Sequence, residues 1–283
     1  MNKAKVLITV TNYKNEEEVL AFVKHLQQQT INDSIVVVVV DNAKSQKCIL
    51  DLCQSLKEFS NVRYVEAKEN LGYLKGCFKG LDEYLQHNEM PDWVVVSNTD
   101  IVIDDKEFFY KFINKNYDES IWCVAPSVIN NDLTYANPHY KERIPLKKVN
   151  RVIKIFKNFL LARFYTFLSN RKRKNAKKEK EQSQDVYAAH GCFFVLKNEF
   201  FKVEKIEFEP LMYSEESYIA EVILGANKRI LYDADLELRH LEGAVTGKIN
   251  FKQKGRYISE SMKFIRDSFY LEKDKDGKFC EQQ

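Results

Sequence analysis

Residues 93–104, WVVVSNTDIVID, contain the junction that decides how this chain folds. The β-forming run Trp93–Val96 is followed at once by the polar run SNTD at 97–100, and a second short apolar run comes next. Trp and Val favour strands, whereas Ser, Asn and Asp favour turns. The stretch therefore predicts a buried strand whose carboxyl end opens into a polar cluster that finishes in the carboxylate of Asp100.

Runs of the same kind recur before and after this strand. Apolar or β-branched runs predict strands, and stretches with apolar residues at helical spacing separate the first four of them. The predicted strands are 5–11, 34–40, 62–65, 93–97 and 121–125, and the helical stretches are 16–28, 49–59 and the segment that follows Gly72. This alternation indicates a parallel, doubly wound α/β sheet, on which ligands bind at the carboxyl ends of the strands.

Polar residues follow three of these strands: TNY at 11–13, DN at 41–42 and SNTD at 97–100. Asn and Asp commonly form turns, but three polar strand ends in succession favour a site. On spacing alone, a turn residue is the more common interpretation of Asp100, and a ligand for Mg²⁺ or Mn²⁺ is the alternative. No G-x-G-x-x-G follows the first strand and no P-loop motif occurs, which disfavours a dinucleotide-binding dehydrogenase and a P-loop NTPase.

The second half of the chain adds acids and histidines. A strand is predicted over 186–196, VYAAHGCFFVL, and the pair Glu215-Glu216 opens a predicted helix that is followed by a strand at 229–232 and by His240. An acid pair suits the dipole of a helix N-terminus, and a single histidine is often structural. Their order along the chain, from strand-end acid to acid pair to histidine, is harder to explain by structure alone.

Composition and charge limit the class of protein. The chain has 283 residues, of which 45% are hydrophobic and 30% charged, as is usual for a soluble globular protein. No apolar run approaches the roughly 20 residues that span a bilayer, and the N-terminus lacks the pattern of a signal peptide. The six cysteines form no C-x-x-C pair, so we expect reduced core thiols in a cytoplasmic protein.

Together these segments resemble the family-2 glycosyltransferases of the GT-A fold, especially the branch that includes rhamnosyl- and galactofuranosyltransferases. The resemblance is carried by VTNYKNEEEVLAFVKHL (10–26), VVVVVDNAKS (36–45), ENLGYLKGCFKG (69–80), SNTD (97–100), AHGCFFVLK (189–197) and MYSEESYIAEVILGANKRILYDADLELRH (212–240). It implies one GT-A domain with a Rossmann-like, doubly wound, mostly parallel sheet. Residues 1–140 would bind the nucleotide-sugar, 141–185 would be a basic helical insertion, and 186–283 would form the acceptor and catalytic half with a C-terminal helical segment.

The resemblance also implies roles for particular residues. Asp100 and His240 would hold Mg²⁺ or Mn²⁺, Glu216 would be the catalytic base, and Glu215 would be its structural partner. The nucleotide-sugar contacts would be Thr11, Tyr13, Asp41, Asn70, Gly72, Asn98 and Gly191. The sequence departs from the family in three places: Asn98 replaces the first acid of D-x-D, Glu replaces Asp at 216, and Cys77 or Phe78 stands where the family has a polar residue.

The expected activity is that of an inverting, metal-dependent transferase of hexosyl or deoxyhexosyl units. It would move the sugar from a nucleotide-diphosphate sugar to a glycan acceptor, expected to be lipid-linked, in cell-surface polysaccharide biosynthesis. Two alternatives stay open. A sugar-phosphate nucleotidyltransferase should have a Gly-rich, Arg-containing loop after the first strand, which VTNYKN lacks. A non-catalytic nucleotide-sugar-binding subunit on a membrane would not need the acids and His240.

The segment 141–180 carries 15 Lys and Arg but only two Glu, so the rest of the chain, with 29 basic and 39 acidic residues, is acidic. After Pro145 it predicts a basic amphipathic helix with an apolar stripe at Val149, Val152, Ile153, Phe156, Leu160, Phe164 and Phe167. Such a helix can lie in an anionic membrane surface or pack on the core, and the sequence leaves both open. Residues 171–184 predict a loop. Nucleic acid is a poorer partner because no binding motif accompanies the charge.

Overall fold

A mixed nine-stranded sheet forms the centre of the protein. The computed structural model describes residues 5–43, 46–175, 179–241, 249–273 and 279–281. Its strands are β1 (Val6–Asn12), β2 (Ile35–Asp41), β3 (Val62–Glu66), β4 (Trp93–Ser97), β5 (Ile101–Val102), β6 (Ile121–Asn130), β7 (Gln184–Val186), β8 (Phe193–Lys197), β9 (Arg229–His240), β10 (Leu271–Lys273) and β11 (Phe279–Glu281). Its helices are α1 (Glu16–Leu26), α2 (Gln46–Leu56), α3 (Tyr73–Leu85), α4 (Phe108–Asn114), α5 (Leu146–Lys157), α6 (Phe159–Asn175), α7 (Glu215–Gly225) and α8 (Phe251–Phe269).

The strand order is β3-β2-β1-β4-β8-β6-β9-β5, and β7 pairs with β9 beside this path. Strands β3, β2, β1 and β4 are parallel, as the sequence predicts. Beyond β4 the pairing is mixed, because β8 runs antiparallel to both β4 and β6, whereas β6 and β9 are parallel. The predicted α/β class is therefore confirmed, with antiparallel strands added in the second half. A separate two-stranded sheet is formed by β10 and β11.

Alternate residues of β1 show why the first half folds as predicted. Val6, Ile8 and Val10 pack in a core with α1 and α4, whereas Leu7 packs in a second core with residues of α3. Both faces of the strand are thus covered, as expected for a nearly continuous apolar strand in a parallel sheet. Polar residues are left to the strand ends, where the parallel strands present them at one edge.

Two predicted strands differ from those observed. The strand predicted over 186–196 is divided into β7 and β8, and residues 187–192 between them place His190 and Gly191 in a loop. The strand predicted to end at residue 232 continues to His240, which is therefore within β9 and pairs with Ile101 of β5. A register shift between β6 and β9 allows this extension. Local apolar patterns do not report such long-range pairing.

The predicted basic helix is two helices, α5 and α6, that meet at Asn158. Val149 and Ile153 of α5 are buried in a third core with Met262 and Ile265 of α8. Ser259 Oγ on α8 also donates to the carbonyl of Ile153 at 3.3 Å. For α5 the core-packing interpretation is thus correct. Helix α6 extends through Arg171–Asn175, where a loop was predicted, and residues 176–178 lie outside the described residues. The boundaries proposed at 140/141 and 185/186 stay predictions.

Candidate active site at the carboxyl ends of the strands

Asp100 and His240 meet at the edge where β4 and β5 adjoin β9. The Oδ1 atom of Asp100 lies 3.3 Å from Nε2 of His240, and both side chains are at most 10% exposed. Antiparallel pairing of Ile101 with His240 fixes this approach, and the N–H of Leu241 donates to the Asp100 carbonyl at 2.9 Å. The two residues that the sequence assigned to a metal are therefore held together by backbone pairing.

The polar atoms of this pair lack hydrogen-bond partners. Apart from the 3.3 Å approach of Oδ1 to Nε2, Asp100 Oδ1 and both ring nitrogens of His240 are buried with no hydrogen-bond partner among the described residues. Buried polar groups almost always form hydrogen bonds. Three buried polar atoms that form none, all at the same point, therefore indicate a ligand-binding site. Carboxylate oxygen and imidazole nitrogen are both ligands of Mn²⁺, and Mg²⁺ accepts the carboxylate. The residues fit a divalent cation.

The SNTD turn is fastened from two sides. Thr99 Oγ1 accepts a hydrogen bond from Asn15 Nδ2 at 2.8 Å and donates to Glu18 Oε2 at 3.2 Å, so Thr99 is tied to the start of α1. On the other side the N–H of Asn98 donates to the carbonyl of Cys192 at 2.9 Å. These contacts orient the turn so that Asp100, rather than Thr99, faces His240.

Glu215 and Glu216 begin helix α7 after a strained turn. Tyr213 and Ser214 precede them with φ angles of 70° and 67°, a left-handed conformation that non-glycine residues seldom adopt. Ser214 Oγ lies 2.9 Å from Ser261 Oγ on α8, and this hydrogen bond holds the turn. Strained backbone of this kind costs about 1–3 kcal/mol per residue and is concentrated at functional sites.

The two glutamates differ in exposure. Glu215 is buried, and burial, followed by the neighbouring charge of Glu216, raises its pKa to about 8. The side chain of Glu216 is 22% exposed, and desolvation raises its pKa above the ordinary value. Gly191 faces Glu216, since a Cβ atom at that glycine would lie 3.4 Å from Glu216 Oε2. The more accessible carboxylate is therefore Glu216, with open space beside it.

Three histidine rings lie in series between the two acidic centres. The ring centroids of His139 and His190 are 5.3 Å apart, and those of His190 and His240 are 5.6 Å apart. His139 Nε2 also lies 3.9 Å from Glu216 Oε1. Sequence reasoning missed His139, which is a single histidine far from any motif, whereas the neighbouring Gly191 marked the position of His190.

Asp41, expected to contact the nucleotide, is buried at the end of β2 and already has two donors. Tyr64 Oη donates to its Oδ2 at 2.8 Å, and the N–H of Ala43 donates to its Oδ1 at 2.7 Å. Burial and this carboxylate raise the pKa of Tyr64. At the end of β1, Thr11 is half-buried and Tyr13 is 39% exposed, so both are accessible from the same edge. Tyr64 was missed because its strand carries no motif.

Gly72 connects the two halves of the site. Its φ is 77°, and a Cβ atom there would lie 2.2 Å from the carbonyl oxygen of Leu211, so only glycine fits this position. The N–H of Tyr73 donates to the same carbonyl at 3.0 Å. The Oδ1 of Asn70 accepts from the N–H of Gly72 at 3.0 Å, and Asn70 thereby shapes the turn. The N-x-G segment thus positions the loop that leads to Glu215.

A comparison with known protein families identifies a sugar-transferring class of protein. The model for glycosyl transferase family 2 matches residues 6–203, and the chain belongs to this family. The match ends before the Glu215-Glu216 pair and His240, whose roles stay predictions. No curated protein sequence matches the chain.

Two solved structures share the fold. One is the mannosyltransferase PcManGT from Pyrobaculum calidifontis in complex with GDP-Man and Mn²⁺, at 13% identity and a TM-score of 0.51, covering 84% of this chain and 57% of that protein. The other is GalNAc-T7 with UDP, GalNAc and Mn²⁺, at 12% identity and a TM-score of 0.53, covering 94% of this chain and 50% of that protein. The chain thus spans about half the length of each of these proteins, and the likeness shows the GT-A type of α/β fold.

Proposed function

We propose that the protein is an inverting glycosyltransferase that uses a nucleotide-diphosphate sugar and a divalent cation, Mn²⁺ or Mg²⁺. The observation that carries this proposal is the pair of buried side chains Asp100 and His240 at the carboxyl ends of the strands, where Asp100 Oδ1 and both ring nitrogens of His240 form no hydrogen bond among the described residues. Membership of glycosyl transferase family 2 supports it, as do the nucleotide and Mn²⁺ named for both similar structures.

Asp100 and His240 are the residues that hold the cation. When bound, the cation neutralises negative charge that develops on the departing diphosphate. Asn98 replaces the first acid of the D-x-D motif, so Asp100 is the carboxylate that this turn supplies. His240 supplies a second ligand from β9. Thr11, Tyr13, Asp41, Asn70, Gly72 and Asn98 border the donor side. In this group we assign Asn70 and Gly72 to shaping the turn, and the accessible Thr11 and Tyr13 to direct contact.

Glu216 is the base that takes the proton from the acceptor hydroxyl. Its elevated pKa increases its affinity for that proton, which suits a general base. Gly191 keeps space open beside the Glu216 carboxylate for the acceptor. Glu215 is buried behind it and serves as its structural partner. Because attack occurs opposite the leaving group, one base and one displacement invert the configuration at the sugar carbon.

The acceptor we propose is a lipid-linked glycan of cell-surface polysaccharide biosynthesis, and the transferred unit a hexose or deoxyhexose. Resemblance to the rhamnosyl- and galactofuranosyltransferase branch supports this choice. Among the described helices, none combines the length and the apolar character that crossing a bilayer takes. We propose, as a separate step, peripheral attachment to the cytoplasmic face of the membrane.

Helix α6 provides the surface for that attachment. Six of its apolar side chains are between 42% and 74% exposed: Phe159, Leu160, Leu161, Phe164, Phe167 and Leu168. We call these six side chains the α6 apolar face. Exposed basic residues lie on α6 and on α5 beside it, including Arg163, Lys147 and Arg151. Apolar insertion together with attraction of about 1 kcal/mol per basic residue suits an anionic bilayer.

The catalytic proposal is tested with purified protein and a panel of nucleotide-sugars. A bound donor stabilises the folded state by mass action, so the matching donor with Mn²⁺ should raise the melting temperature, and a chelator should reverse the gain. Asp100→Ala should abolish the Mn²⁺-dependent gain. The proposal is wrong if the wild type transfers sugar at an undiminished rate in excess chelator.

Glu216→Gln separates binding from chemistry. Loss of the base should lower transfer by roughly 10²–10⁴-fold while the donor still raises the melting temperature. Glu215→Gln is the matched control, and it should retain transfer. An active Glu216→Gln with an inactive Glu215→Gln would reverse the assignment within the pair. A non-catalytic subunit would show donor binding but neither donor hydrolysis nor transfer in any variant.

The membrane proposal is tested by co-sedimentation with anionic liposomes. Replacing Leu160, Phe164 and Phe167 by Ser should release the protein, while donor hydrolysis should stay near that of the wild type because these residues lie on α6. Tyr110→Ser removes a half-exposed aromatic side chain from α4 and is the control. Wild-type protein that ignores anionic liposomes at low salt would refute this attachment.

A further inference from the structure

Beside the Asp100–His240 pair, a second set of ligand atoms converges on the same histidine. One ligand atom each from His190, Cys192 and His240 lies within 4.8 Å of the other two. Cys192 and His240 are buried, and His190 is half-buried in the loop before β8. Both ring nitrogens of His240 are buried without a partner among the described residues.

The chemistry of this set differs from that of the Asp100 centre. A thiolate with two imidazoles is a soft to borderline donor set, which selects Zn²⁺ or Co²⁺ over Mg²⁺ and binds Mn²⁺ weakly. Three protein ligands with an open fourth position are a common arrangement for Zn²⁺. Zinc bonds of about 2.0–2.3 Å place ligand atoms about 3.3–3.8 Å apart. Because the three atoms lie within 4.8 Å of one another, the cluster needs to contract by at most about 1–1.5 Å.

The surrounding contacts hold the two loop residues near this position. The carbonyl of Cys192 accepts from the N–H of Asn98 at 2.9 Å, and the N–H of His190 donates to Asn137 Oδ1 at 2.7 Å. One existing contact competes: the N–H of Cys192 donates to His190 Nδ1 at 3.4 Å. This distance is long for a hydrogen bond, so a metal–nitrogen bond replaces it at little cost.

We propose that His190, Cys192 and His240 form a site for Zn²⁺ or a similar borderline cation, which shares His240 with the Asp100 centre. Binding converts the Cys192 thiol to a thiolate, and its proton leaves to solvent. Neutral imidazole has only one ring nitrogen with a free lone pair, because the other carries a proton, so His240 ligates one cation at a time. Zn²⁺ therefore excludes Mn²⁺, and zinc acts as an inhibitor of the metal-dependent reaction. The competition rests on the proposed function, whereas the binding of Zn²⁺ by the three residues does not.

The site is tested with Co²⁺ as a spectroscopic probe of the metal-free protein. A thiolate ligand gives Co²⁺ an intense charge-transfer absorption that oxygen and nitrogen ligands do not give. We expect this band in the wild type, its loss in Cys192→Ser, and its retention in Cys123→Ser, which changes a buried thiol elsewhere in the core. Asp100→Ala should keep the band because Asp100 is not one of the three ligands. A wild type without the band, or a Cys192→Ser variant that keeps it, overturns the proposal.

Competition is measured by electron paramagnetic resonance of free Mn²⁺. In the wild type, added Zn²⁺ should release bound Mn²⁺, and in Cys192→Ser the same release should need at least roughly tenfold more Zn²⁺. Simultaneous binding of both ions would overturn the shared ligand. A cobalt band in a wild type that binds no Mn²⁺ would refute the metal of the proposed function and leave this site standing. Mn²⁺ binding without the cobalt band would refute this site and leave the metal of the proposed function standing.

Discussion

Replacing Glu215 by Gln should make the protein more stable at neutral pH. Glu215 is 6% exposed, and burial followed by the charge of Glu216 raises its pKa from 4.5 to about 8. The unfolded chain loses this proton near pH 4.5, whereas the folded chain keeps it to about pH 8. The contribution of protonated Glu215 to stability is therefore complete below about pH 4.5 and is lost as the pH rises to about 8.

The size of this effect follows from the shift. One pKa unit corresponds to about 1.36 kcal/mol. At pH 7, which is about 2.5 units above the pKa of 4.5 in the unfolded chain, Glu215 is still protonated in the folded protein. Through Glu215, the free energy of unfolding of the wild type therefore falls by at most roughly 3 kcal/mol between acid and neutral pH. Glu215→Gln keeps the shape of the side chain and has no proton to lose, so its stability should not fall over this range.

The assay is urea unfolding of the wild type and of Glu215→Gln at several pH values between about 5 and about 8. A chelator is included so that metal binding does not contribute to the folded state. The difference in free energy of unfolding between the two proteins should grow with pH. Parallel profiles would refute the reasoning, because they would mean that Glu215 is ionised in the folded protein despite its burial.

Three other substitutions test the surroundings of the site. Gly72→Ala should destabilise the protein by at least about 1–3 kcal/mol, measured by thermal unfolding, because φ is 77° and the new Cβ overlaps the Leu211 carbonyl. Gly191→Ala should leave stability nearly unchanged but raise KM for the acceptor in a transfer assay, since the methyl group occupies space beside the base. Tyr64→Phe should cost about 1–3 kcal/mol in urea unfolding by removing a donor from a buried carboxylate on β2.

The strands of the first half could be predicted from sequence because their signal is local. β2 reads IVVVVVD, and six of its seven residues are buried, so one stretch of apolar residues defines the element and its polar end. The division of β7 from β8 and the extension of β9 to His240 depend instead on which strand pairs with which. The information for that pairing is distributed over residues that are between 71 and 139 positions apart, as in Val124 with Val195 and Ile101 with His240.

The site shows the same division between local and long-range signals. Asp100 was a candidate ligand because it follows a buried strand, although spacing alone favoured a turn residue. The resemblance of the order of Asp100, Glu216 and His240 to that of a family then favoured the ligand. The contact between Asp100 and His240 joins residues 140 positions apart, and the pattern of neither residue alone predicts it. His139 gave no signal, because its proximity to Glu216 arises only when the segment between β6 and α5 folds against α7.

The charge state of Glu215 also determines how its neighbour works as a base. If Glu215 keeps its proton to about pH 8, it adds no negative charge beside Glu216 during catalysis at neutral pH. Replacing it by Gln then leaves the pKa of Glu216 unchanged, and the acidic limb of the pH–rate profile for transfer should stay in place. An ionised Glu215 would instead hold the pKa of Glu216 higher by repulsion, and Glu215→Gln would move that limb to lower pH.

The pH–rate profile thus tests in the active enzyme what urea unfolding tests in the metal-free protein. An acidic limb that shifts by about one pH unit would show that the buried carboxyl is charged and that the two glutamates act as a coupled pair.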